Sequence, residues 1–180
     1  MPEAPVTVSP APVVGMITLK ANLAAPAIAS AIKLATGIAI PGPRRILSDG
    51  AVSLMWMAPD ELLVLCPVAE VPARLSRLSD TLGSAPHLAA DVSDARVIFD
   101  VTGQGWREVL AKLTPADMHP DVFVAGELRR SRLAQIPAGF WMEGAGSVRV
   151  MVFRSVAQYA EDLLRNAVDQ TGRIEFFNTP

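Results

Sequence analysis

Cysteine is nearly absent from this 180-residue chain: Cys66 is the only one. A single thiol excludes an intrachain disulfide framework and any cysteine-rich metal site. Its place inside "ELLVLCP" reads as buried apolar filler, because a free cysteine behaves as a small hydrophobe. There are only two histidines, His87 and His119, far apart in sequence and from Cys66, so no zinc-ligand spacing exists. Charge of one sign is missing too. A formal net charge of −2 offers no broad field to nucleic acid or an anionic membrane. No long apolar run is intact, since "LAAPAIASAIKLATGIAI" is interrupted by Pro26, Lys33 and Gly37, and a spanning helix needs about 20 apolar residues. The N-terminus lacks a positive start followed by an apolar core, so no export signal is expected and the cytoplasm is the default location.

What is present is apolar bulk, 51% of the residues, enough for one substantial core. The first stretch, "MPEAPVTVSPAP", has four prolines in twelve residues. Residues 1–14 are therefore expected as an extended or disordered arm.

Beyond the arm the apolar periods switch repeatedly between two and 3.6 residues. "GMITLKA" alternates as a strand, and "APAIASAIKLA" places Ile28, Ile32 and Ala35 on one helical side. "AVSLMWM" alternates again, a turn follows at Pro59–Asp60, and "ELLVLC" is apolar on both faces, as a central strand is. Pro72 then suits a helix first turn, Val71, Leu75, Leu78 and Leu82 form a stripe, and Gly83 ends it. The second half repeats this order. "ARVIFDV" is a strand, Trp106, Val109, Leu110 and Leu113 mark an amphipathic helix, and "GELRRSRLA", "IPAGFWM" and "SVRVMVF" are strands. Ser155 and Gln158, at capping-box spacing, start a last helix. The order predicts an α+β fold of two pseudo-repeated strand–helix–strands–helix halves, about 15–86 and 87–180. Their mainly antiparallel sheets pack as one domain.

Motifs for chemistry are scarce. There is no Walker loop, dinucleotide fingerprint or G-x-S-x-G elbow. "TGQGW" (102–106) either offers backbone N–H groups to an anion or is a tight strand-to-helix turn. Arg129, Arg130 and Arg132 lie on a strand whose alternation sends Arg130 and Arg132 to one face and Arg129 to the other. They meet an acidic partner or ligand carboxylate, or simply decorate a solvated strand; Arg44 and Arg45 read the same two ways. In "DVSDAR" two acids precede Arg96, which suggests a local ion pair. The loop "TPADMHPDVF" (114–123) brings Asp117 within two residues of His119, between Pro115 and Pro120. It is an acid/base pair, a ligand-binding loop or a turn, because aspartate caps backbone N–H groups and proline fixes φ.

Several segments in order resemble the gamma subunit of heterotetrameric sarcosine oxidase. They are "MAPDELLVLCP", the stretch from "DVSDAR" through "IPAGFWM", and "VRVMVFRSVAQYAEDLLRNA", together roughly residues 45–170. The most specific piece carries Pro115, Asp117, His119, Pro120, Phe123 and Gly126, then Arg132, Leu133, Ala134, Ile136 and Pro137. Thr114 stands where that family often has cysteine, and Leu62 where it often has tryptophan. The resemblance implies a fold similar to the folate-binding domain of the glycine-cleavage aminomethyltransferase. It implies an accessory subunit with no active site of its own, packed against alpha in a complex with beta and delta. FAD, FMN, NAD and tetrahydrofolate would then be held by other subunits, not by this chain. Asp117, His119 and Phe123 would form a relic folate-site loop or a partner contact, and Arg129, Arg130 and Arg132 a second partner contact. The alternatives are a stand-alone folate-binding one-carbon protein using Asp117, or an interaction subunit of a related N-methyl amino acid oxidase or demethylase.

Overall fold

A computed structural model of the chain describes residues 6–169, which fall into two compact units. The first five residues of the expected arm, and residues 170–180 of the expected domain, lie outside the described residues.

One unit is Val13–Asp94. Its elements are β2 (Gly15–Ala21), α1 (Pro26–Thr36), β3 (Ile46–Asp49), β4 (Val52–Ala58), β5 (Glu61–Cys66), α2 (Val71–Leu82) and β6 (His87–Asp91). The strands form one antiparallel sheet in the order β3-β4-β5-β2-β6. Ile28, Ile32 and Ala35 of α1 and Val71, Leu78 and Leu82 of α2 are buried on Ile17, Leu19, Val52, Leu54, Leu62 and Val64 of the strands. Each buried side chain of this size contributes about 1.5–3 kcal/mol, which is why the helical stripe and the strand alternation settle on each other. Met55, Leu63 and Leu65, on the alternate faces of β4 and β5, are buried as well. Gly15 is fixed by packing, because a Cβ there would collide with Val71.

The other unit joins residues 6–12 to residues 95–169. It contains β1 (Thr7–Pro10), β7 (Arg96–Thr102), α3 (Trp106–Ala111), β8 (Leu128–Leu133), β9 (Ile136–Gly144), β10 (Ser147–Phe153) and α4 (Ala157–Asp169). Its antiparallel sheet has the order β1-β7-β10-β9-β8. Trp106, Val109 and Leu110 of α3 and Ala160, Leu164 and Ala167 of α4 cover Val8, Phe99, Val101, Phe140, Val148 and Val150. Position by position the sheets match: β7 takes the place of β2, β10 of β5, β9 of β4 and β8 of β3. Both central strands also lead through a short 3-10 turn, Val68–Glu70 or Arg154–Val156, into the second helix.

Three expectations change. Within the described part of the arm, residues 7–10 form a strand: Thr7 pairs with Thr102 and Pro10 with Phe99, and Val6 and Val8 enter the core. Proline is tolerated because β1 is an edge strand, where a missing N–H breaks no second ladder. The division between halves falls after Asp94 rather than after residue 86, because β6 pairs with β2 along Ile17–Ala21. In place of a Ser155–Gln158 capping box, the chain enters α4 through its 3-10 turn, and the Gln158 amide donates to Asp162 at 2.9 Å. Among the described residues no helix is long and apolar enough to cross a membrane.

Candidate functional site

The segment 114–127 lies between α3 and β8 and has no regular structure, so its backbone groups need other partners. Thr114, nearly buried, accepts the Ala116 N–H on its hydroxyl. The Asp117 carboxylate accepts the His119 N–H at 2.8 Å, and Nδ1 of His119 accepts the Asp121 N–H at 3.3 Å. The carbonyl of His119 then takes the N–H groups of Val122 and Phe123. Asp117 and His119 thus meet through the backbone rather than as carboxylate and imidazole. The Asp121 carboxylate lies 3.7 Å from Nδ1 of His119. Both side chains are exposed, and the arrangement builds a turn.

The loop is fixed from beneath by two arginines. Arg107, on α3, donates from Nη1 to the Met118 carbonyl at 2.7 Å and from Nη2 to the Phe123 carbonyl at 3.1 Å. Nη2 also lies 3.4 Å from Sδ of Met142. The guanidinium stacks 4.4 Å from the Trp106 ring centroid and lies 5.9 Å from that of Phe123. Burial pushes its pKa below the usual arginine range, while an ordinary value so high leaves it protonated. Arg129, on β8, donates to the Val122 carbonyl at 2.8 Å and sits 5.8 Å from the Phe123 ring. Its Nε lies 3.0 Å from Oε1 of the buried Glu127, at an angle that makes this a charge contact rather than a hydrogen bond. Its Nη2 does bond Oε2 at 3.3 Å. Phe123 itself is fully buried and meets Trp106 edge to face at 6.1 Å.

Asp117, His119, Phe123 and Arg129 therefore belong to one cluster. Arg130 and Arg132 are exposed and, two residues apart along β8, point to the face opposite Arg129. Arg44 and Arg45 precede β3 in the other unit. In "DVSDAR" the Asp91 carboxylate accepts the Ser93 hydroxyl at 2.5 Å and its N–H at 2.9 Å, which lowers its pKa, and Arg96 stacks 5.3 Å over Phe153. The "TGQGW" segment is a tight turn. Gly103 and Gly105 adopt φ of 111° and 89°, and the Gly103 N–H is taken by the Gly146 carbonyl. A cleft of about 220 Å³ opens beside it, lined by Gln104, Trp106, Glu108 and Pro120. A wider cleft of about 780 Å³ in the Val13–Asp94 unit is lined by Lys20, Asn22, Ile28, Asp60, His87 and Leu88. His87 is not free to act as a base through Nδ1, which lies 2.8 Å from the Ala85 carbonyl and so carries hydrogen. Among the described residues no group of three or more potential ligands could hold a metal ion. Burial raises the Cys66 pKa despite nearby Arg74. Sequence reasoning missed Arg107 and Glu127; the first lies in a segment read as an amphipathic helix and the second in one read as a strand, and neither stood in a motif.

The family model described as "Sarcosine oxidase, gamma subunit family" matches residues 20–170. Sarcosine oxidase subunit gamma of Corynebacterium sp. (strain U-96) is 30% identical over 148 residues, covering 81% of this chain and 71% of that relative. The subunit of the same name from Arthrobacter sp is 30% identical over 124 residues, covering 68% and 60%. Among solved structures, a chain of the heterotetrameric sarcosine oxidase from Corynebacterium sp. U-96, in complex with pyrrole 2-carboxylate, superposes with a TM-score of 0.84 at 26% identity. That match covers 97% of this chain and 86% of the other. The glycine cleavage system aminomethyltransferase T of Bartonella henselae shares the fold, with a TM-score of 0.64 at 12% identity over 89% of this chain and 45% of the enzyme. With a family match spanning most of its length and relatives at this level of identity, the chain belongs to the sarcosine oxidase gamma subunit family.

Proposed function

We propose that this chain is the gamma subunit of a heterotetrameric sarcosine oxidase, an accessory subunit with no active site of its own. The observation that carries this reading is the superposition on a chain of the Corynebacterium heterotetramer over nearly the whole length. In the proposed assembly gamma packs against alpha, with beta and delta completing a cytoplasmic flavoenzyme that demethylates sarcosine to glycine. FAD, FMN, NAD and tetrahydrofolate are held by the other subunits. The geometry at Asp117 fits an accessory role: its carboxylate accepts the His119 N–H and so shapes its own turn. The exposed Asp117 and His119 of the loop and the exposed Arg130 and Arg132 of β8 are assigned to partner contact rather than to catalysis, while the buried Phe123 and the inward-turned Arg129 hold the loop in place.

Co-expression with candidate alpha, beta and delta chains tests the assignment. The expected result is a stoichiometric complex with sarcosine-dependent oxidase activity. A gamma chain that never co-purifies with them refutes it. Titration of the isolated chain with tetrahydrofolate tests the alternative: tight binding abolished in Asp117→Ala would establish a folate site in this chain.

A further inference from the structure

Among the described residues, Met16, Met55, Met57, Met118 and Met151 are buried, each with 5% or less of its surface exposed. Cys66, the one thiol, is buried as well. Met142 differs from the other described methionines in being only partly buried. A thioether is oxidised through an electron pair on sulfur, so burial shelters the others and leaves Met142 the sulfur that solvent reaches first.

Met142 lies on β9, with Val148 of β10 opposite, and it packs on the core of its unit. Its Sδ accepts a hydrogen bond from Nη2 of Arg107 at 3.4 Å. The same nitrogen donates to the Phe123 carbonyl, and Nη1 donates to that of Met118. One guanidinium therefore spans the sulfur and both loop carbonyls. A thioether is a weak acceptor, so it orients the fork without drawing it off the carbonyls.

We propose that Met142 is an oxidation site for hydrogen peroxide, and that its sulfoxide releases the Arg107 pin on the loop 118–123. The source of the peroxide rests on the subunit reading above, because an oxidase that passes two electrons to oxygen releases peroxide beside its own subunits. In the step, an electron pair of Sδ attacks one peroxide oxygen and the O–O bond breaks. The new S–OH gives its proton to the departing hydroxide, which leaves as water. Sulfur is oxidised to the sulfoxide and peroxide is reduced.

The product does not keep the geometry of the thioether. An oxygen between Sδ and Nη2 does not fit within 3.4 Å, since a hydrogen bond to that oxygen alone takes about 2.7–3.2 Å. An oxygen on the other side turns a positively polarised sulfur toward the guanidinium and sets a polar atom against the apolar side chains that Met142 packs on. Either epimer drives the fork away from the two carbonyls.

The test treats the full chain with hydrogen peroxide and follows each methionine by peptide mass spectrometry. Met142 is expected to be oxidised well before the five buried methionines, and its oxidation to lower the melting temperature by about 2–4 °C, the shift that one lost charge-assisted bond gives at this length. Methionine sulfoxide reductase should restore the parent value. Met142→Leu keeps the volume without the sulfur, so peroxide should leave its melting temperature unchanged. Buried methionines oxidised as fast as Met142 would overturn the site. Oxidation of Met142 with no melting shift, or an equal shift in Met142→Leu, would overturn the release of the pin. In the assembled complex, turnover of sarcosine should oxidise Met142 with no peroxide added. Peroxide formed while Met142 stays reduced breaks the link to the enzyme's own product. A complex that forms none from sarcosine removes the oxidase reading, while the response to added peroxide still decides the site.

Discussion

Replacing Arg107 by methionine isolates what the guanidinium does, because the apolar stem stays and the charged fork goes. The fork makes two charge-assisted bonds to loop carbonyls, at 2.7 and 3.1 Å. Such bonds contribute about 1.5–3 kcal/mol each in favourable settings. Stacking on Trp106 at 4.4 Å adds roughly 0.5–2 kcal/mol. Against these stands the desolvation that lowers the Arg107 pKa, together with the water that the freed carbonyls recover at the surface. A net loss of about 2–3 kcal/mol is expected. For a chain of this length each kcal/mol lowers the melting temperature by roughly 2–4 °C, so Arg107→Met should melt about 5–10 °C early. Urea unfolding gives the free energy directly, and its slope should not change, since the surface exposed on unfolding is the same. Arg107→Lys should fall between the two, because an ammonium is a point charge that cannot span both carbonyls. If Arg107→Met loses less than about 0.5 kcal/mol, the range of an ordinary surface change, the carbonyls are satisfied by water and the pin is not structural.

Other outcomes follow from single contacts. Arg129→Met leaves buried Glu127 without the cation 3.0 Å away and should destabilise by about 3 kcal/mol; adding Glu127→Gln should restore much of that in a double-mutant cycle. Asp91 has its pKa lowered in the folded chain by the Ser93 bonds, so its stabilising contribution is complete above the unfolded value near ~3.9 and is lost as pH falls through the folded pKa. Ser93→Ala should therefore raise the Asp91 pKa in an NMR titration and flatten the acid limb of the stability curve; an unmoved titration would refute the assignment. Cys66, buried and with its thiol pKa raised, should react with a disulfide reagent only as fast as the chain unfolds. Prompt labelling of the native chain would contradict its burial.

The sequence was most legible where one face of an element is buried over a full period. Gly15–Ala21, Pro26–Thr36 and Val71–Leu82 were expected within a residue or so of where they lie, because Ile17 and Leu19, Ile28 and Ile32, and Leu78 and Leu82 can be buried only by that period. The strands that escaped notice, β1, β3 and β6, are short edge strands whose residues are largely exposed, so no alternation marks them. Their pairing comes from neighbours distant in sequence, as between Thr7 and Thr102. The same limit applies to the loop. Asp117 and His119 could be singled out because they stand together in the chain. Arg107 reaches residues 118, 123 and 142, and no local pattern encodes that reach.

The place of β1 in its sheet has a consequence for biosynthesis. Strand β6 completes its sheet from within one continuous stretch, so Val13–Asp94 has all its strands as soon as residue 94 has left the ribosome. Strand β1 is made first, but its neighbour β7 begins only at Arg96, and the rest of that core reaches Ala167. Val6 and Val8 therefore wait, with nothing of their own unit to cover them, while almost the whole chain is synthesised. Long-range pairing of this kind is slow and leaves apolar surface exposed meanwhile. The interrupting prolines keep the waiting arm a poor template for pairing with other chains, which gives their number at the N-terminus a use before folding is complete.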